Sequence, residues 1–514
     1  MITQEKKDFL EWMRSVEGKW QRKWKEAGVF EPKVEEGRVK YFLTVPYPYT
    51  NGPLHIGHGR TYTIGDIIAR FKRLTGHNVL FPMAFHITGT PIIAISERIA
   101  KKDAKTLDMY RSYISYYVED REKIEEILES FKDPLRLATF FAEKVQADFE
   151  ALGYSIDWRR KFHTGEPIYN AFVTWQYERL RQLGVVGKGE HIVTYCLLHK
   201  QPEGEDDIQD ADVNPVEVLE YTAIKFKLEG SDISLLASTL RPETLLGATN
   251  MWVNPEADYA IVEFKGEKLL VSKKAWVKLT HQYVEPDMRV VGELKGAELV
   301  GKTVETPLGQ KLLILPASFV DPDNATGIVY SEPSDAPYDY VALVELKANP
   351  RVLEPYGINP RVVETINPVK IIDVPGVSDH HAKVVVEKYG ITSQLDEKLE
   401  EATREVYKQQ FYSGKLIVDD PDFKGLSVPE AREKMKVKLI SEGKALVFYE
   451  LNRKAFCRGG GEIIVAKIKD QWFIDYGTPW WKDRTRKLIN EKLEIIPSKY
   501  KKAFQDVLEW VEKR

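Results

Sequence analysis

The segment from Val39 to Phe85 limits the fold more than any other part of the 514-residue chain. Val39-Lys40-Tyr41-Phe42-Leu43-Thr44-Val45 reads as a strand, stopped by Pro46 and Pro48, which cannot donate to a ladder. Gly52 and Gly57 mark a turn. From Gly57 to Leu74 the spacing of Ile64, Ile67, Ile68 and Phe71 predicts a helix with an apolar side. A second, buried strand follows from Asn78 to Phe85. Strand, glycine-containing turn, helix and strand make a βαβ unit, which implies a parallel sheet.

A chain this long exceeds one hydrophobic core and divides into domains. Phe9, Trp12, Met13, Val16, Trp20 and Trp24 predict an opening amphipathic helix, led in by the charged segment Met1-Ile2-Thr3-Gln4-Glu5-Lys6-Lys7. Asp133-Pro134 starts a helix whose apolar face is Leu137, Phe141, Val145, Phe149 and Leu152, and another runs from about Pro167 to Leu183. Near residue 190 the text becomes strand-rich: Val218 to Leu228, Leu235 to Thr239, Tyr259 to Phe264, Lys311 to Leu315 and Thr326 to Ser331, with a helix over Ser393 to Tyr412. After about 450 it returns to mixed strand and helix. The expected fold is α/β, an incomplete Rossmann-type doubly wound parallel sheet with an inserted β-rich α/β domain. Its boundaries are 1–190 for the first half of the Rossmann domain, 191–222 for a connector, 223–445 for the insertion, and 446–514 for a connector and the return. A last helix, capped by Ser498, carries the stripe Tyr500, Phe504, Val507, Leu508 and Val511, which needs a cover.

The 74 basic and 78 acidic residues leave a formal charge of −4, so no global charge signature points to nucleic acid, although a local basic groove stays compatible with it. Two cysteines make no disulfide framework, which suits a reducing cytoplasm. No signal peptide and no apolar run of membrane-spanning length is read, so no membrane is expected as a partner.

The chemistry concentrates in Pro46-Tyr47-Pro48-Tyr49-Thr50-Asn51-Gly52-Pro53-Leu54-His55-Ile56-Gly57-His58. The turn after the first strand of a doubly wound sheet binds phosphates, because the helix behind it points free N–H groups outward. Gly52 and Gly57 let backbone approach a ligand, and His55 and His58, at the start of that helix, can donate to the charge developing on an attacked α-phosphate. This segment resembles the signature of class I aminoacyl-tRNA synthetases. Its context, including Phe71-Lys72-Arg73-Leu74-Thr75-Gly76-His77-Asn78-Val79-Leu80-Phe81-Pro82 and Phe85-His86-Ile87-Thr88-Gly89-Thr90-Pro91, is similar to the archaeal and eukaryotic leucyl enzymes, and the likeness runs to the last residue. The resemblance implies ATP with Mg2+ as cofactor, and ATP contact at Gly52, His55, Gly57 and His58, the two histidines being catalytic. It puts Tyr47, Tyr49 and His86 around leucine.

A leucine pocket rejects smaller or isosteric apolar amino acids by only ~1–3 kcal/mol per methylene, so the resemblance makes the insertion an editing domain. Thr239, Arg241, Thr244 and Thr249 stand in Ser238-Thr239-Leu240-Arg241-Pro242-Glu243-Thr244-Leu245-Leu246-Gly247-Ala248-Thr249-Asn250. Asp339 closes Glu332-Pro333-Ser334-Asp335-Ala336-Pro337-Tyr338-Asp339 and would anchor the α-ammonium group of a misacylated amino acid. Many archaeal relatives carry Ala-His where this chain has Ser334-Asp335. Cys196, His199 and Cys457 offer three metal donors, no fourth is evident, and the set is read as a zinc-free or degenerate knuckle with no metal ligand assigned.

The lysine-rich Lys-Met-Ser-Lys-Ser loop and tRNA-gripping helical domain of the family are not found. Glu433-Lys434-Met435-Lys436 is a faint echo. The expectation is therefore the N-terminal half of a leucine–tRNA ligase, present as a subunit or as a fragment and inactive in aminoacylation without the other half, with leucine, ATP, leucine tRNA and a second polypeptide carrying that half as partners. A stand-alone trans-editing hydrolase and a non-catalytic paralogue that binds leucine, tRNA or protein are the competing readings.

Overall fold

The computed structural model describes residues 4–211, 213–284 and 288–511, so residues 1–3 of the charged lead-in and the terminal Arg514 lie outside the described residues. The chain forms two compact units. The first holds Met1–Gly189, Phe456–Gly461 and Gln471–Arg514; the second holds Glu190–Ala455 and Glu462–Asp470. The second is thus an insertion into the first.

In the first unit, strand Lys40–Phe42 lies parallel to Asn78–Leu80, with Lys40 opposite Asn78. The expected second strand is divided by Phe81-Pro82-Met83, and its end, Ala84–Phe85, pairs in parallel with Phe162–His163. These short parallel pieces are the start of a doubly wound sheet. The helix between the first two strands, Ile56–Leu74, packs inward through small residues: a Cβ on Gly65 would meet Val45 Cγ1 at 2.7 Å, and Ala69 is fully buried. Asp66 is buried beside them, accepting from the Ser155 N–H at 2.6 Å and from Arg70 Nε at 2.7 Å. Ile64, Ile67, Ile68 and Phe71, the predicted apolar side, are exposed.

Helix Pro134–Ala151 begins as its sequence requires, with Asp133 Oδ1 accepting from the Leu135 N–H at 2.9 Å, and buries Leu137, Phe141, Val145 and Phe149. Helix Pro167–Gln182 follows. At the far end, Ser498–Tyr500 is a 3₁₀ turn rather than a cap, and helix Lys501–Val511 buries Leu508 while Tyr500, Phe504 and Val507 are exposed. Among the described residues no helix is long and apolar enough to cross a membrane.

The second unit is built on a ten-stranded mixed sheet. Its order is Arg289–Lys295, Asp258–Phe264, Glu267–Ser272, Ile233–Thr239, Val218–Leu228, Thr303–Glu305, Lys311–Pro316, Asn250–Val253 and Ile328–Ser331, with Ala445–Leu451 also on Val218–Leu228. The fully buried Ile224, Phe226, Leu235, Ala237, Met251 and Ile314 belong to one continuous core. Helix Lys398–Ser413, which begins a few residues later than its sequence suggests, buries Leu399, Ala402 and Val406. Glu433-Lys434-Met435-Lys436 lies within helix Val428–Ser441: Met435 is fully buried, Lys434 pairs with Asp422 at 3.0 Å and Lys436 with Glu220 at 2.6 Å. Its lysines are used in fastening that helix.

Helix Lys273–Gln282 is pinned by a buried ion pair between Lys278 and Glu450, and Lys278 Nζ also donates to the Asp323 carbonyl at 2.6 Å. Removing one member leaves a buried charge uncompensated. Lys278→Met is therefore expected to destabilise the second unit by about 3 kcal/mol, read as a lowered unfolding midpoint in urea. A midpoint unchanged from wild type would show that the pair contributes nothing.

Candidate nucleotide and hydrolytic sites

In the first unit the turn before helix Ile56–Leu74 fixes both histidines. His55 is the N-cap: its Nδ1 accepts from the Gly57 N–H at 3.1 Å, and its own N–H donates to His58 Nδ1 at 3.3 Å. Each Nδ1 is thereby an acceptor, so each neutral ring carries its proton on Nε2, free to donate. The ring centroids are 4.0 Å apart. Burial, and then the charge of His55, hold His58 below the usual histidine range, which keeps it neutral at pH 7. A Cβ on Gly57 would sit 2.8 Å from His55 Cε1, so glycine is what lets the imidazole fold over the helix start. Gly52 is less constrained; a Cβ there would meet Tyr113 at 3.5 Å.

Beside this turn three more predicted residues gather. Tyr49 stacks on His86 with centroids 4.2 Å apart, and their backbones form a parallel bridge. Tyr47 lies 5.9 Å from the His86 ring, and its hydroxyl shares a 3.4 Å hydrogen bond with Tyr169, which with burial pushes Tyr47 up to about 12. Burial lowers His86 below its ordinary value, and its Nδ1 is buried with no partner among the described residues. Two tyrosyl rings and a neutral imidazole at a strand end can enclose an apolar side chain while leaving polar atoms for its head group. Tyr169, on helix Pro167–Gln182, is a member that sequence reasoning missed; it has no motif of its own.

In the second unit the threonine-rich word sits where strand Ile233–Thr239 ends and the 3₁₀ turn Pro242–Gly247 begins. Thr239 Oγ1 accepts from the Arg241 N–H at 2.9 Å, and Thr244 Oγ1 donates to the Arg241 carbonyl at 2.7 Å and shares 2.8 Å with the Tyr330 hydroxyl. Thr249 donates to Asn250 Oδ1 at 2.9 Å. These hydroxyls shape the wall from within. Arg241 is buried over the Tyr407 ring, 4.4 Å from its centroid, with Nε on Glu243 at 3.1 Å. The carboxylates around it hold the guanidinium charged despite its burial.

Asp339, in the first turn of helix Pro337–Ala348, accepts from Trp252 Nε1 at 3.1 Å and from the Glu332 N–H at 2.8 Å. Burial pushes it up to about 7 against the opposing pull of those two bonds. Two further buried acids stand on the same segment. Glu332 is raised well above its ordinary value by burial and then by Asp335, and burial pushes Asp335 up to about 6. Asp335 had been noticed only as a departure from the familiar word, and Glu332, Trp252 and Tyr407 had not been assigned. Their partners are far apart in sequence, which no local pattern reveals.

A separate group involves Cys196, whose Sγ lies 3.4 Å from His199 Nδ1, with Glu203 Oε1 3.6 Å from the same nitrogen. Glu203 is a donor that the sequence reading lacked, seven residues on from the cysteine. Cys457 is buried in the short segment Phe456–Gly461 of the first unit, its Sγ accepting from the Gly461 N–H at 3.2 Å.

A parallel βαβ start, a histidine-capped helix and an inserted β-rich unit define a class of nucleotide-using enzymes. The chain belongs to the tRNA synthetases class I (I, L, M and V), the family description that matches residues 19–513. Within that class its relatives are leucine–tRNA ligases: it is 68% identical over 510 residues to that of Staphylothermus marinus, covering 99% of this chain and 53% of that protein. It is 45% identical over 501 residues to that of Methanopyrus kandleri, covering 97% and 51%. The chain thus spans about half the length of the curated relatives it matches. A solved editing domain of the Plasmodium falciparum cytosolic leucyl-tRNA synthetase is similar at 22% identity and TM-score 0.42, over 45% of this chain and 99% of that one.

Proposed function

We propose that this chain supplies the ATP- and leucine-binding half of a cytoplasmic leucine–tRNA ligase together with its hydrolytic editing site, and that the half of such a ligase carrying the lysine loop completes activation. The observation that carries this reading is the pair of preset Nε2–H donors on His55 and His58, beside the Tyr47, Tyr49 and His86 cluster. They are held for a triphosphate whose α-phosphate leucine attacks. These Nε2–H groups donate to the charge that grows on the phosphoryl oxygens. Gly52 and Gly57 leave room for the nucleotide, and Tyr47, Tyr49 and His86 take leucine.

The insertion corrects errors on the tRNA. Thr239, Arg241, Thr244 and Thr249 form the wall against the terminal ribose, and Asp339 takes the α-ammonium group of the wrong amino acid. Water then cleaves the ester, returning free amino acid and free tRNA. The boundaries proposed from the sequence, with the editing domain over 223–445, accompany this reading.

The test mixes the chain with the C-terminal half of the Staphylothermus marinus relative and measures leucine-dependent ATP–pyrophosphate exchange. Exchange is expected in the mixture and absent from either part alone. No exchange, with deacylation of misacylated leucine tRNA by the chain alone, would make it a trans-editing hydrolase. Neither activity would leave a non-catalytic binding paralogue.

A further inference from the structure

The acids Glu332 and Asp335 lie on the short connection between strand Ile328–Ser331 and helix Pro337–Ala348, and the assignments above give them no task. Three layers of contact hold that connection. Within it, Glu332 Oε2 accepts from the Asp335 N–H at 3.0 Å, and the Ala336 N–H donates to the Glu332 carbonyl at 3.0 Å. From helix Lys398–Ser413, Gln410 Nε2 donates to Asp335 Oδ1 at 2.6 Å. From helix His381–Tyr389 and its cap, the Ala382 N–H donates to the Ser334 carbonyl at 2.9 Å, and His380 Nδ1 shares 3.1 Å with Ser334 Oγ. The product of this fixation is one backbone N–H, that of Glu332, aimed at Asp339 Oδ2 at 2.8 Å.

The side chains are as buried as the core. Asp335 and Gln410 are fully buried and Glu332 is 2% exposed. Glu332 Oε1, Asp335 Oδ2, Gln410 Oε1 and Arg241 Nη2 each lack a partner among the described residues. A buried polar atom left unsatisfied loses its hydration without replacement, so two bare carboxylates side by side are a poor resting state. One proton resolves the conflict: a protonated Glu332 can donate to an ionised Asp335, as in other paired carboxyls.

We propose that Glu332 and Asp335 form a one-proton acid–carboxylate clasp, tied to Gln410, that positions Asp339 for hydrolysis of misacylated tRNA. The clasp rests on the editing assignment. Its single negative charge faces Arg241 from the threonine-rich turn and Lys370 from the segment before strand Ile372–Asp373. On the other sides stand Asp339, which opposes it, the Tyr407 ring, and His380 and His381. A charge-assisted bond from Gln410 is stronger than one to a neutral acid. Adding the second proton, near pH 6 where Asp335 titrates, weakens the tie and frees the connection that aims the Glu332 N–H. Asp335 and Gln410 are positioning residues here; neither is required to touch the ester.

The experiment follows deacylation of leucine tRNA misacylated with isoleucine by the full chain from pH 5 to pH 8.5. Two ionisations, at Asp335 and at Asp339, give wild type a log-rate slope of about one below about pH 7 that steepens beyond one below about pH 6. Asp335→Asn keeps the acceptor for Gln410 and is nearly isosteric, so it folds, but its rate should be lowered and its slope should stay at one below about pH 7, without the steeper limb, before levelling off above that pH. Gln410→Leu should lower kcat on the order of tenfold with KM within about twofold, because a misaimed anchor costs the transition state more than binding. Unfolding midpoints are recorded for both, and Asp335→Asn decides alone if Gln410→Leu does not fold. Wild-type rates and slopes in Asp335→Asn, with Asp339→Asn inactive, would overturn the clasp and leave editing standing. No deacylation by wild type at any pH would overturn the editing assignment, and the clasp with it.

Discussion

Asp339→Asn is expected to lower deacylation of misacylated leucine tRNA about a hundredfold or more while leaving leucine-dependent ATP–pyrophosphate exchange of the reconstituted enzyme intact. The carboxylate is held by two donors of fixed direction, the Trp252 indole N–H at 3.1 Å and the Glu332 N–H at 2.8 Å. Asparagine fits the space, but it has one carbonyl oxygen for two donors, so its amide nitrogen must face one of them. It also carries no charge for an ammonium group. Truncating one partner of a desolvated charge pair costs about 2–5 kcal/mol, which corresponds to a factor of about 30 to 5,000, with a hundredfold well inside that range. The proposed activation site, at His55 and His58, lies in the other unit, so exchange has no reason to change. The check is a pair of assays on one preparation. Equal loss of both activities would sink the assignment of two separate sites, and full deacylation would remove Asp339 from the hydrolytic one.

The parts of this molecule that were legible in the sequence are those with a local period or a cap. Val218–Leu228 alternates and forms the strand at its expected ends, and Asp133-Pro134 starts its helix because both the carboxylate cap and the ring act within one turn. The turn at His55 was legible too, since the cap, the glycine and the second histidine lie within four residues. Periodicity misled where two faces compete. Ile64, Ile67, Ile68 and Phe71 mark a stripe on helix Ile56–Leu74, yet the face toward the strands is the one with Gly65 and Ala69, because close packing selects small residues. Pro82 broke a strand that hydrophobicity alone had joined. In the candidate hydrolytic site, Asp339 was proposed from its word. Its environment could not be: Trp252, Glu332, and the pair Tyr407 and Gln410 on one helix come from three separate stretches of chain, and only the tertiary fold shows that three acids there share one buried region.

That shared burial has a thermodynamic consequence: the second unit should become more stable as pH falls from 8 to 5. Asp335 is raised from 3.8 to about 6 and Asp339 from 3.8 to about 7, both chiefly by burial. A carboxyl whose folded pKa lies above its unfolded value binds its proton more tightly when folded. Its stabilising contribution is complete below about pH 4, declines as pH rises, and is lost once the folded pKa is passed. Between pH 5 and pH 8 Asp335 loses about one unit of this linkage and Asp339 about two. At 1.36 kcal/mol per unit the loss is about 4 kcal/mol. Glu332, also raised by burial, acts in the same direction. His381 opposes it, because burial lowers its pKa and the unfolded chain gains a proton below about pH 6.5 that the folded unit resists. The measurement is calorimetry of the full chain, with the transition of the second unit identified as the one that Lys278→Met moves. Its midpoint should rise as pH is lowered to 5, and the Asp335→Asn, Asp339→Asn double variant should flatten that dependence while gaining stability at pH 8. The same slope in the double variant, or a midpoint that falls on acidification, would mean that these carboxyls are not held in a desolvated site. The acids proposed to serve hydrolysis are then a cost to the fold at neutral pH, and removing them should stabilise the unit while it loses the proposed activity.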